Sequence, residues 1–235
     1  MRQILSVFWR FILKCLIIFL IASVLGALIF KWLPVPFTPL MGIRILENTF
    51  GNGDVRFRKD WVALEEISPN MPLAVIASED QLFLEHNGFD VKAIEKAINY
   101  NSKKKGKKVR GASTISQQTA KNVFLWPGRS WVRKGLEVYF TFLIETIWSK
   151  KRIIEVYLNI AEMGNGIYGV EAASQYYYKK AAKDLKKKEC AAITSILPLP
   201  LKRNPLIPEA QVAYKQQWIL RQMENLRPTV KFEQD

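Results

Sequence analysis

Two short stretches carry side chains whose types and spacing could do chemistry. The first is Glu79-Asp80-Gln81-Leu82-Phe83-Leu84-Glu85-His86-Asn87-Gly88. The second, about one helix later, is Gly111-Ala112-Ser113-Thr114-Ile115-Ser116-Gln117-Gln118-Thr119-Ala120-Lys121-Asn122. If the first is helical, Glu79, Phe83 and His86 fall at i, i+4 and i+7 on one face, with Gly88 ending the helix. In the second, Thr114, Gln118 and Lys121 repeat that spacing and set a hydroxyl, an amide and a cation along one stripe. Carboxylates and imidazoles move protons, and cations with neutral donors hold anions, when a fold brings them together. The Glu79-Asp80 pair also follows an apolar run from Leu73 to Ala77, where burying a charge costs free energy unless it has a partner or a task.

Each stripe alone also has an ordinary explanation. A histidine near a helix end is commonly a cap or a satisfied polar group, and acidic pairs are commonly solvated. Thr114, three residues before Gln117, has the spacing of a capping box. The elements around them are then decisive. Ser68-Pro69-Asn70 predicts the start of a helix with Pro72 in its first turn. Asp90 predicts the N-cap of a second helix through Tyr100. Ser130 predicts the cap of a long helix to about Trp148, apolar on most sides and therefore the central buried helix. Ser149 starts another through Asn159. Gly164-Asn165-Gly166 and Gly169 mark a turn before a helix from Val170 to about Tyr178, and residues 184–197 and 208–226 read as two more. Residues 41–70 are mixed: Arg56 to Arg58 and Trp61 to Leu64 could each be a strand or a helical turn. No long alternating pattern occurs, so the fold is expected to be mainly α.

The chain has 235 residues, formal charge +14 and two cysteines, Cys15 and Cys190. That length allows one or two domains, and the cysteines suggest neither a disulfide framework nor a metal site. The charge suggests an anionic partner: nucleic acid, a membrane surface or a phosphorylated substrate. Cys15 to Phe30 runs without a charge, within a stretch long enough to cross a bilayer. Such a run predicts a retained transmembrane helix rather than a cleaved leader, since no small-residue cleavage site follows. Arg2, Arg10 and Lys14 before it predict a cytoplasmic N-terminus and a single-pass protein of the cytoplasmic (inner) membrane, its body periplasmic or extracytoplasmic. That topology argues against nucleic acid. Pro34, Pro36 and Pro39 predict a stiff connector. The expected organisation is an N-terminus and anchor over 1–33, a connector and the start of the catalytic domain over 34–70, and the rest of that domain over 71–235. The basic loop at 101–110, rich in lysine, is suited to lipid headgroups or phosphates.

The two stretches resemble the peptidoglycan glycosyltransferases of glycosyltransferase family 51. The first meets E-D-x-x-F-x-x-H-x-G and the second G-x-S-T-I-x-Q-Q-x-x-K-N at every fixed position. Arg133-Lys134 with Glu137 is similar to the third motif, R-K-x-x-E. Lys150 to Asn159 is similar to the fourth, with Ile154 where Leu is usual, a volume-conserving exchange. Gly166 to Tyr178 is similar to the fifth region. Together these cover residues 74–178. The resemblance implies a lysozyme-like helical glycosyltransferase domain with a small jaw subdomain, the basic loop on the jaw side.

It also implies a reaction. A glycan on undecaprenyl diphosphate is the donor, the 4-hydroxyl of lipid II is the acceptor, and α becomes β in one inverting displacement. The acceptor must lose a proton, while the leaving diphosphate needs cations rather than a proton. By the resemblance Glu79 is the general base, with Asp80, Phe83 and His86 shaping and orienting it. Lys121, Arg129, Arg133 and Lys134 are assigned to the diphosphate, and Thr114, Gln118 and Asn122 supply neutral hydrogen bonds. Glu137, the second carboxylate, either orients the cations or holds a divalent ion (Mg or Mn) bridging the diphosphate; no cofactor is obligatory. The expected partners are lipid II, the lipid-linked glycan and the membrane, with other wall-synthesis or division proteins admitted and nucleic acid excluded.

The nearest alternative is a lysozyme-like lytic glycan hydrolase, which uses a glutamate to protonate a sugar leaving group and has no use for a cation cluster. A non-catalytic wall-binding scaffold is the other class, in which Glu79 and Glu137 would be idle. Ser102-Lys103-Lys104-Lys105 fits S-x-x-K and Ser68-Pro69-Asn70 fits S-x-N by accident: no K-T-G or K-S-G occurs, so no transpeptidase is expected.

Overall fold

The computed structural model describes residues 2–51, 56–103, 111–128, 130–227 and 230. Most of the basic loop (104–110) and Arg129 therefore lie outside the described residues. The chain divides into two compact units, Met1–Pro34 and Val35–Asp235. The first is one helix, α1 (Arg2–Trp32), of which Ser6–Trp32 is long and apolar enough to cross a membrane. Phe8, Trp9, Phe11, Ile18 and Ile21 stand exposed on it, as suits a helix solvated by lipid.

The second unit is mainly helical. Its described elements are α2 (Pro39–Phe50), β1 (Arg58–Lys59), α3 (Asn70–Glu79), α4 (Val91–Lys103), α5 (Ile115–Phe124), α6 (Trp131–Ile147), α7 (Lys150–Ile160), β2 (Glu162–Gly164), β3 (Ile167–Tyr168), α8 (Val170–Tyr178), α9 (Lys187–Ile196) and α10 (Ala210–Leu226). Short 3-10 turns occupy Leu64–Glu66 and Ala182–Asp184. Pro39 is not part of the connector. It opens α2, whose N-cap Thr38 accepts a hydrogen bond from the Met41 N–H. Proline fits the first turn of a helix because the missing N–H would have had no partner there.

The core lies around α3 and α7. Met71 to Ala77 are all buried, and α3 packs on α9 and α10. In α7, Ile153, Ile154 and every residue from Val156 to Ile160 are buried. Asn159 is fully buried and satisfied: it donates to Val62 O and accepts from Val62 N, both at 2.9 Å. The helix α6 is not the central one. It buries Phe140, Leu143 and Ile144 but leaves Trp131, Val132 and Phe142 exposed. The sequence of α6 is apolar on most sides, while it packs on α5 and α7 and leaves part of that apolar surface uncovered.

Three short strands form a sheet in the order β1-β3-β2, β1 parallel and β2 antiparallel to β3. Arg58 pairs with Ile167 and Glu162 with Tyr168. Gly166 has φ +67°, and a Cβ there would meet Arg56 O at 2.0 Å, so only glycine fits this close approach.

One sequence expectation fails at a functional position. Glu79, Phe83 and His86 do not share a helical face, because α3 stops at Glu79. Asp80 leaves the helix with φ −162° and ψ 80°. Its carboxylate instead accepts from the Ile115 N–H at 3.0 Å and from His86 Nε2 at 2.9 and 3.0 Å. Two tertiary hydrogen bonds to a buried carboxylate outweigh another helical turn. Residues 81–88 then fold as successive turns, and Gly88, at φ +89°, redirects the chain toward α4 rather than capping α3.

Candidate active site

The sequence places Thr114 as the N-cap of α5, and the capping box with Gln117 is present: Thr114 Oγ1 accepts from Gln117 N, and Gln117 Oε1 accepts from Thr114 N. The Thr114 hydroxyl also donates to Gly88 O at 2.7 Å. Thr114 thus spends its hydrogen bonds joining the 81–88 turns to α5. His86 does the same from the other side. Its Nδ1 accepts from Gly88 N–H at 3.1 Å, which assigns the proton to Nε2, the nitrogen facing Asp80. Phe83 is fully buried, its ring 4.8 Å below Lys150 Nζ, and that ammonium donates to His86 O at 2.6 Å and to Glu145 at 2.7 Å.

Asp80, Phe83, His86 and Thr114 therefore form a clasp that holds the chain on either side of Glu79 and α5. None of them lines the cavity described below; their hydrogen bonds join the 81–88 turns to α5. Asp80→Ala is expected to cost about 3 kcal/mol of stability, since it strands the Ile115 N–H and the His86 Nε2–H. Thermal unfolding in detergent measures this, and an unchanged midpoint would rule the clasp out.

Glu79 stands at the end of α3, where the clasp leaves its carboxylate only part-buried. Oε1 accepts from Ser78 at 2.8 Å and lies 3.4 Å from Lys215 Nζ on α10. Oε2 lies 3.4 Å from Gln118 Nε2. The Gln118 amide is oriented by the Tyr157 hydroxyl, 3.5 Å from its Oε1. Burial, reinforced by the Glu79 charge, pushes Tyr157 well above the ordinary phenol range, so it stays a donor.

Gln118 is also where Glu79 meets a cavity of about 450 Å³. From α5 come Gln117, Gln118, Lys121 and Asn122, and from α6 come Arg133, Lys134 and Glu137. Glu137 is 3% exposed, with one oxygen accepting from Arg133 Nη1 at 2.9 Å and the other from Lys134 Nζ. This pair is a buried anchor, not a surface i, i+4 bridge. Burial pushes the Lys121 ammonium down, and the charge of Glu137 opposes that shift. The structure thus gathers Gln118, Lys121, Asn122, Arg133, Lys134 and Glu137 around one space, with Glu79 reached through Gln118.

Sequence reasoning missed Lys215, Arg44 and Glu162. Lys215 is 136 residues from Glu79, and no local pattern marks it. Arg44 and Glu162 line the same cavity from α2 and β2. A signal existed for Glu162: it is a charge set between Ala161 and Met163 in a stretch otherwise suited to burial. Among the described residues no three His, Cys, Asp or Glu side chains converge, and both Glu137 oxygens already hold side-chain cations. A divalent ion at Glu137 would need the substrate's own phosphate oxygens as further ligands.

A family model described as Transglycosylase matches residues 46–224. A protein of Haemophilus influenzae named biosynthetic peptidoglycan transglycosylase is 54% identical over 220 residues, covering 93% of this chain and 87% of its own length. A protein of the same name from Bdellovibrio bacteriovorus is 52% identical over 211 residues (90% of this chain, 84% of its own). Another, from Bacteroides thetaiotaomicron, is 51% identical over 219 residues (93% and 87%).

Proposed function

The chain belongs to the transglycosylase family, and on that premise we propose that it polymerises peptidoglycan glycan strands, taking the growing strand from undecaprenyl diphosphate to the 4-hydroxyl of lipid II. The observation that carries this reading is the cavity wall of Lys121, Arg133 and Lys134, joined through Gln118 to the carboxylate of Glu79.

The acceptor hydroxyl gives its proton to Glu79, which Ser78, Gln118 and Lys215 fix in place. Its oxygen attacks the anomeric carbon from the face opposite the diphosphate, so the configuration inverts. The bond to the diphosphate breaks, and Lys121, Arg133 and Lys134 neutralise the charge that develops there. No acid is needed on the leaving side, since a diphosphate is already a stable anion. Glu137 holds Arg133 and Lys134 in register as the side-chain cations that stabilise the leaving group. Cross-linking of the strands is left to other enzymes.

The lytic alternative is tested directly. Purified protein given lipid II is expected to lengthen glycan and to leave preformed glycan intact; shortening of preformed glycan would replace the polymerase with a hydrolase. The apolar α1 supports anchoring at the membrane where both lipid substrates reside. Deleting residues 1–33 is expected to release the protein from membranes on fractionation and to lower activity on lipid II in vesicles by about tenfold, through loss of local concentration. A truncated protein that stayed integral to the membrane would overturn the anchor.

A further inference from the structure

The cavity has a second wall that the reaction above does not use. Arg44 on α2 and Glu162 on β2 face the same space as Lys121, Arg133 and Glu137. The Glu162 side chain is only 8% exposed, and its Oε1 lies 3.6 Å from Arg44 Nε. The two groups attract as charges, but 3.6 Å is too long for a hydrogen bond, and the atoms Glu162 Oε1 and Arg44 Nε are both buried without a hydrogen-bond partner, as is Arg133 Nε. Five residues carry such atoms among those described, and three of them line this cavity. Buried polar groups are nearly always satisfied, so a concentration of orphans in one cavity points to a ligand that completes them.

The chemistry of the orphans defines that ligand. Arg44 Nε–H and Arg133 Nε–H call for acceptors. Glu162 Oε1 calls for a donor, and a carboxylate beside a phosphate would repel it. Arg44 is already held by Glu47, 2.7 Å from its Nη1, so it is not free to swing onto a distant phosphate. The other group facing Glu162 is the Tyr168 phenol on β3, which burial and the Glu162 charge keep protonated. A neutral group with both a donor and an acceptor fits this wall: a sugar hydroxyl, or the N–H and C=O of an acetamido group.

We propose that Arg44 and Glu162 form a sugar-recognition pair that accepts hydroxyl or acetamido groups of the substrate saccharide and turns phosphate away, so that the substrate enters the cavity in one orientation. This rests on the polymerase reading and names a specificity element within its site. The pair is a positioning device; it takes no part in bond making.

The test compares binding of two ligands in detergent micelles: lipid II, and undecaprenyl diphosphate, which has the same diphosphate and no sugar. Glu162→Ala is expected to weaken lipid II binding by about 10- to 100-fold, the loss of one hydrogen bond to a charged group. Undecaprenyl diphosphate is expected to bind unchanged or tighter, because a repelling charge has gone. Glu162→Gln, closest in shape, carries the same test should the alanine variant fail to fold, and is expected to narrow the preference for lipid II in the same direction. A parallel loss of both ligands would make the pair structural and overturn the proposal, as would equal and unchanged binding of both. If wild-type protein polymerises lipid II while the variants keep the full preference, this inference alone fails. If wild-type protein binds neither ligand, the polymerase reading fails with it.

Discussion

Glu79→Gln is expected to lower polymerisation of lipid II by about 10³-fold, the scale of a general base removed from its proton. The amide keeps the shape of the carboxylate, the contacts to Gln118 and the packing at the end of α3. Unfolding temperature and lipid II binding should therefore stay close to wild type, and the loss should fall on kcat. The structural basis is the unusual position of this residue. The clasp of Asp80 and His86 ends the helix at Glu79 and turns the chain away, which leaves the carboxylate part-exposed between α3, α5 and α10. A variant with near wild-type turnover would remove Glu79 from the base role. One that failed to bind lipid II would make it a binding residue.

Glu137→Ala is expected to have the second largest effect. It removes the buried anion between Arg133 and Lys134 and leaves Lys121, Arg133 and Lys134 without the carboxylate that faces them from α6. Breaking a buried charge cluster by deleting one partner costs about 3–5 kcal/mol in stability or binding. Catalytic efficiency should fall by about 100-fold or more, and binding of undecaprenyl diphosphate should fall with that of lipid II. A pH signature accompanies the loss. Burial already pushes Lys121 down, and Glu137 is the opposing influence. Without Glu137 the Lys121 ammonium loses its proton at lower pH, so diphosphate binding in the variant should weaken from a lower pH than in the wild type. Undiminished binding with an unmoved alkaline limb would contradict the role given to Glu137.

The motifs made much of this site legible, for a physical reason. Thr114, Gln117, Gln118 and Lys121 lie on one short helix, where period and capping chemistry fix which side chains share a face. Arg133, Lys134 and Glu137 lie within one turn and a half, so their meeting follows from helical spacing alone. The stretch after Glu79 was misread for the opposite reason. Its residues also have helical spacing, but a contact from Asp80 to Ile115, 35 residues away, decides the backbone there. The i, i+4, i+7 pattern of Glu79, Phe83 and His86 is a coincidence of local sequence with a long-range clasp.

Composition misled at α6 as well. Apolar residues on most sides predict a buried helix, yet Trp131, Val132 and Phe142 stand exposed. The central helices are α3, where Met71 to Ala77 are all buried, and α7, whose buried Asn159 is satisfied by Val62. Lys215 and Arg44 were out of reach for a single sequence, since Lys215 meets Glu79 across 136 residues and Arg44 meets Glu162 from a separate helix; Glu162 was marked only by a charge in an apolar stretch.

The central claim is that the cation wall receives a diphosphate leaving group while Glu79 takes the acceptor proton. The measurement that tests it most directly is the stoichiometry of undecaprenyl diphosphate released by purified wild-type protein on lipid II. One molecule released for each new glycosidic bond, with glycan growing and with both products absent in Glu79→Gln, is the predicted result. Sugar bonds broken without release of undecaprenyl diphosphate would contradict it.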